Sequence, residues 1–147
     1  MPLVDIYASA GRFTDPHRLA LDAANTVREV EQTPDIPMFR KNTAAFVHEL
    51  PSNSISNCDG EGDYVRVQVT TNTGALDRDK QIAIVNRLTS LICRAGNDRG
   101  LARRTWVVLS EATSGGWGLW GHAYTNEQLV EAAKHEIATL RQPIPGS

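Results

Sequence analysis

Gly11 to Leu21 reads G-R-F-T-D-P-H-R-L-A-L, and Gly74 to Ile84 reads G-A-L-D-R-D-K-Q-I-A-I. The two stretches superpose at an offset of 63 residues. In each, a glycine is followed two residues later by Phe or Leu, then by a Thr or Asp suited to cap a helix, then by L/I-A-L/I. Glycine supplies the turn that ends a strand, and the capping oxygen satisfies orphan backbone N–H groups of the first helical turn. The shared order predicts two copies of one strand–helix–strand unit rather than two unrelated segments.

The flanking residues complete both units. Before the first glycine, Pro2 to Ala8 (P-L-V-D-I-Y-A) reads as a strand beginning almost at the terminus. After the turn, Thr14-Asp15-Pro16 opens a helix whose Leu19, Ala20, Ala23, Ala24, Val27 and Val30 recur at spacings of three and four. Pro34 and Pro37 are expected to stop it, and residues 44–50, ended by Pro51, form the second strand. A polar, glycine-containing connector spans residues 51–62. In the second unit Tyr64 to Thr70 alternates apolar and polar residues, Asp77 caps a helix with Ile82, Val85, Leu88, Leu91 and Ile92 facing inward, and Trp106 to Glu111 is the closing strand.

The fold expected is therefore α/β (α+β): a single domain over residues 1–147 with an internal repeat of 2–50 and 64–111. Two right-handed crossovers place four strands in one mixed sheet with both helices on a single face. The other face is left bare, and its apolar residues call for association with further copies. Residues 114–141 add a short hairpin, rich in glycine and tryptophan between Ser114 and Gly121, and a final helix. That helix starts near Thr125, with Glu127 or Gln128 available for a capping box and Leu129, Ala133, Ile137 and Leu140 as its stripe.

Composition removes several classes of function. The 147 residues carry 15 Lys and Arg against 17 Asp and Glu, a formal charge of -2. That balance argues against binding nucleic acid through many phosphates. Cys58 and Cys93 make neither a disulfide framework nor a CxxC motif. His17, His48, His122 and His135 lack metal-ligand spacing, and the acidic loop Asp59 to Asp63 lacks the EF-hand pattern. No phosphate-binding glycine motif is present, so neither a metal nor a cofactor is expected. With no secretory leader and no run of ~20 apolar residues, no membrane role is expected and a cytoplasmic location is.

Met1-Pro2 opening the first strand, Gly11-Arg12 at its end, Thr14 at the helix start and Trp117-Gly118-Leu119-Trp120-Gly121 after Glu111 together resemble the tautomerase superfamily. The resemblance covers residues 2 to about 121, and is to fused β-α-β members similar to cis-3-chloroacrylic acid dehalogenase. It implies a homotrimer with the sheets facing a central core, which would cover the bare face. It also implies an active site around an amino-terminal Pro that is free once Met1 is removed. Pro2 would be the catalytic amine, Arg12 the clamp on a small-molecule carboxylate substrate, and Trp117 an apolar wall. For a second cation the resemblance points to Arg104, before the fourth strand, with Arg66 on the third strand as the other candidate. Leu119 stands in the substrate-binding turn where the dehalogenases carry Glu.

The chemistry has a physical basis. Ordinary α-amines titrate near ~8. An apolar pocket and nearby guanidinium groups favour the neutral amine, which can remove a proton beside a carbonyl and return it elsewhere. The dehalogenases also use an Arg pair after the third strand and a His in the first helix. Here those places read Thr70 to Ala75 and Val27 to Val30, without either. Keto–enol tautomerisation of a small 2-oxo acid needs only a base and a clamp, and no cofactor, so it is the expected activity. Hydratase, dehalogenase or decarboxylase chemistry on a three-carbon acid is the enzymatic alternative, and a non-catalytic oligomeric module is the other.

Overall fold

The computed structural model describes residues 1–143, 145 and 146. Four strands form one mixed sheet in the order β2-β1-β3-β4: β1 (Leu3–Ser9), β2 (Ala44–Leu50), β3 (Val65–Thr71) and β4 (Thr105–Glu111). β1 runs parallel to β2 and β3 runs parallel to β4, while β1 and β3 are antiparallel, with Leu3 opposite Thr70 and Tyr7 opposite Arg66. The two β-α-β units thus lie head to tail, and the sheet has two unlike poles. One holds the starts of β1 and β2 with the ends of β3 and β4, and the other holds the reverse.

The crossovers are α1 (Pro16–Glu31) and α3 (Arg78–Ala95), packed against each other over one sheet face. Asp15 accepts a hydrogen bond from the Arg18 N–H at 3.0 Å, and Asp77 from the Lys80 N–H at 2.9 Å. The first cap is Asp15 rather than Thr14, so the offset between units shortens from 63 to 62 at the helix start. The glycines that end β1 and β3 match in conformation, with φ of 83° at Gly11 and 74° at Gly74. Side chains rarely adopt that region, which is why glycine stands there.

Alternation along the strands sends Val4, Ile6 and Ala8 of β1 and Val65, Val67 and Val69 of β3 under the helices. They meet Leu19, Ala23 and Val27 of α1 and Ile84, Leu88 and Ile92 of α3. The α3 stripe differs from the expected one: Ile82 and Val85 are exposed and Ile84 is buried. The helix is rolled toward α1, and Ile82 and Val85 line an open groove beside the edge strand β4.

Among the described residues no helix covers the opposite face. Phe46 is 51% exposed and Trp106 and Val108 are each 47% exposed. On this face the Tyr7 and His48 rings stack at 4.3 Å, and Tyr64 stacks on Trp106 at 4.5 Å.

Pro37, expected as a stop, instead starts a short helix, α2 (Pro37–Asn42), because its ring suits the first helical position. A 3-10 helix, Arg99–Arg103, leads into β4. Beyond the sheet, β5 (Trp117–Leu119) and β6 (His122–Tyr124) form the hairpin, and α4 (Asn126–Leu140) follows. Thr125 and Gln128 form the capping box of α4. Within the expected stripe, Leu129 and Ala133 are buried, Ile137 is partly covered and Leu140 is exposed. Among the described residues no helix is long and apolar enough to cross a membrane.

Candidate active site

β1 begins at the pole to which α2, the hairpin and α4 also bring side chains. Continuing the register places Pro2 between Thr43 and Thr71. Parity puts all three on the helix-covered side of the sheet, and all three are buried. Among the described residues neither threonine hydroxyl has a hydrogen-bond partner. A buried hydroxyl without a partner costs about 1–3 kcal/mol, so two beside the same residue mark a place prepared for something polar.

Met1 precedes Pro2 and is itself buried, in a second apolar cluster with Ile36, Met38, Trp117, Leu129 and Ala133. The Met1 ammonium donates to Glu31 Oε1 at 3.0 Å. Glu31, the last residue of α1, has a side chain only 8% exposed, and its Oε2 is buried without a partner among the described residues. Lys80 Nζ donates to the Glu31 backbone carbonyl at 3.1 Å, placing a cation at the C-terminal end of α1, where the helix dipole favours one.

Two cavities adjoin this terminus. The larger, about 460 Å³, is lined by Met1, Glu31, Phe39, Leu129 and Lys134 among others. The second, about 400 Å³, lies on the hairpin side and includes Leu3, Lys41, Trp117 and Leu119. Their shared frame is stitched together by polar contacts. Asn126 Nδ2 donates to the Thr73 carbonyl at 2.6 Å, Thr73 Oγ1 donates to the Ala112 carbonyl at 2.6 Å, and the Gly74 N–H donates to Glu111 Oε1 at 3.1 Å. Glu111 therefore holds a loop.

Of the six side chains expected at the site, Pro2, Trp117 and Leu119 share this pole. Arg12 and Arg104 come together at the opposite one, about 20 Å away at the rise of a seven-residue strand. Arg12 Nη2 donates to Asp98 at 3.1 Å, and its Nε lies 3.2 Å from Asp63. Arg104 donates to the same two carboxylates, at 2.6 Å for Asp98 and 3.2 Å for Asp63. Hydrogen bonding from Arg104 is the largest cause holding the Asp98 carboxyl below the usual range, followed by the Gly100 N–H and the charges of Arg104 and Arg12. Asp98, in turn, raises Arg104 above its ordinary value. Arg66 lies on the bare sheet face with its guanidinium 5.5 Å from the centre of the Tyr7 ring.

The expectation of Pro2 and Arg12 side by side is thus not met within one chain. Antiparallel pairing of the units is the reason: the turn next to Pro2 is the second unit's, where Ala75 follows Gly74 as Arg12 follows Gly11. Glu31, Thr43 and Thr71 are the polar residues that no motif indicates. Glu31 did carry one signal, since it continues the Ala23–Val27 spacing of four and so puts a carboxylate on the buried stripe. Among the described residues, no three His, Cys, Asp or Glu side chains come together as a metal ion requires.

No protein-family model and no curated protein matches this sequence. Solved structures do. A member of the cis-3-chloroacrylic acid dehalogenase family aligns over 96% of this chain and 92% of its own, with a TM-score of 0.70 and 14% identity. A fused 4-OT, solved as a symmetric trimer, aligns over 86% of this chain and 98% of its own, with a TM-score of 0.68 and 15% identity. A macrophage migration inhibitory factor-like protein from Entamoeba histolytica aligns over 84% and 98%, with a TM-score of 0.65 and 18% identity. The chain has a tautomerase-like fold, in the fused arrangement of two β-α-β units.

Proposed function

We propose that the chain, once Met1 is removed, is a cofactor-independent enzyme that moves a proton through the Pro2 amine, a keto–enol tautomerase for a small 2-oxo acid or the related enol. The observation that carries this reading is the buried Pro2 at the start of a central strand. It lies between two unpartnered threonine hydroxyls and directly behind the Met1 that lines a 460 Å³ cavity. Loss of Met1 would convert the Pro2 nitrogen from an amide into a secondary amine and extend the cavity to it. Trp117 and Leu119 form the apolar wall, and excluding water there strengthens electrostatic contacts to the substrate.

The substrate carboxylate is held by Arg12 of a neighbouring copy, with Arg104 beside it, in a homotrimer whose buried centre is the bare sheet face. The geometry of one chain supports a shared site, since it supplies the amine at one pole and the guanidinium pair at the other. A fused 4-OT of the same fold is a symmetric trimer.

Intact-mass measurement followed by assay on phenylenolpyruvate, oxalocrotonate-like and haloacrylate substrates tests the reading. Tautomerisation of at least one enol is expected, falling about 10²-fold or more in Pro2→Ala. Met1 retained on the active protein, or an unchanged rate in Pro2→Ala, would sink it, the latter leaving a binding or structural module. The carboxylate of Glu31, 3.0 Å from the terminal nitrogen, supports a second reading as a hydratase, dehalogenase or decarboxylase on a three-carbon acid. Release of halide or carbon dioxide, or uptake of water, would identify that class.

A further inference from the structure

Arg12 and Arg104 share two carboxylates that are held in different ways. Asp98 is anchored to the backbone. Its Oδ1 accepts the Gly100 N–H at 2.8 Å, as the cap of the 3-10 helix, and its Oδ2 accepts from Arg104 at 2.6 Å and from Arg12 at 3.1 Å. Asp63 stands just after the connector, two residues before β3, with its side chain 59% exposed. It sets one oxygen against each cation: Oδ1 lies 3.2 Å from Arg12 Nε and Oδ2 lies 3.2 Å from Arg104 Nη2. Among the described residues its carboxylate has no other partner.

A carboxylate with one oxygen on each of two guanidinium groups has the pose that a small free acid would take there. The charges agree with that reading. Arg12, Arg104 and Asp98 sum to +1, and Asp63 brings the group to zero. Its fit is imperfect, however. Arg12 Nε is buried and, among the described residues, makes no well-directed hydrogen bond, although Asp63 is within ion-pair distance. The main chain explains the misalignment, because Arg104 Nε donates to the Asp63 backbone carbonyl at 2.9 Å and so fixes where the side chain starts. An untethered anion is free to align with both cations.

From this geometry we infer that Asp63 is a built-in competitor: its carboxylate fills the seat of a small free carboxylate between Arg12 and Arg104, and vacates it by turning about its own side-chain bonds. Asp98 stays in place and keeps the two guanidinium groups together. The inference rests on the proposed function in taking the incoming anion as the substrate's carboxylate, and it adds a control on that anion's entry. The affinity for the anion is reduced by the fraction of time that the seat is open. Exposed ion pairs are weak, so the reduction is about five- to tenfold rather than a block.

The experiment is an NMR titration with sodium pyruvate at fixed ionic strength. It follows the Arg12 and Arg104 Nε–H signals and the Asp63 carboxyl carbon in wild type, with Asp63→Asn as the variant. Asp59→Asn, an exposed connector residue of the same charge, is the control. Pyruvate is expected to shift both arginine signals, and in wild type the Asp63 carboxyl with them. Asp63→Asn should bind about five- to tenfold more tightly, and Asp59→Asn should match wild type. Equal affinity in wild type and folded Asp63→Asn overturns the inference, as do arginine signals that pyruvate leaves unmoved. Wild-type binding with a stationary Asp63 carboxyl also overturns it, and needs no variant to fold. The titration needs no turnover, so an inactive protein would refute the proposed enzyme without touching this result.

Discussion

Asp98 sits between Arg12 and Arg104, and each guanidinium also reaches Asp63. Because its folded-state pKa is depressed, Asp98 contributes stability that is present above the ordinary carboxylate pKa of about 4. That contribution fades as pH falls through the lower folded value. Asp98→Asn should therefore lower the thermal midpoint at pH 7, and the difference from wild type should shrink as the pH falls below about 4 and the carboxylate protonates, as followed by circular dichroism. A difference that persists in acid would show that charge is not what Asp98 supplies. Met1-Pro2 and Gly11-Arg12 can be picked out as sequence features, and Arg104 only through the resemblance. Their partners cannot, since Asp63 and Asp98 lie 51 and 86 residues beyond Arg12 in the chain, and only folding brings them within hydrogen-bond reach.

Each helix of the sheet is started by one side chain. Asp77 serves α3 through the Lys80 N–H, and Asp77→Ala should cost about 1 kcal/mol of stability in urea unfolding, with no change in the slope against denaturant. An unchanged midpoint would mean that packing against α1 holds the helix start by itself. The glycines and the caps of α3 and α4 were readable because their physics is local, whereas the cap of α1 falls on Asp15, one residue after Thr14. The short helix α2 was not readable, because Pro37 reads equally as a stop or as a first helical residue, and the contact deciding it is distant: Glu136 of α4 accepts the Met38 N–H at 3.0 Å. The face of α3 slipped for a similar reason. Ile82 and Val85 fit an inward stripe by spacing, but the sheet ends at β4 and leaves nothing over them.

At the scale of the molecule, two β-α-β units with both helices on one side imply a bare sheet face, and the exposed Phe46, Trp106 and Val108 lie on it. Burying such side chains is worth about 25 cal/mol per Å², enough to drive assembly when repeated over several strands. Val108→Lys should leave the fold intact, its position being half exposed, and shift the proposed trimer toward monomer in sedimentation. A wild-type chain that sediments as a monomer would remove this face as an interface. What composition and spacing did not reveal was the separation of Pro2 from Arg12, because that depends on β1 and β3 running in opposite directions.

In an assembly of identical single units, any change to the glycine turn would be felt at both ends of every sheet. Here Gly11-Arg12 and Gly74-Ala75 are encoded separately. Selection can therefore hold one while the other drifts, and an inherited change at Arg12 need not disturb the walls around the terminal nitrogen.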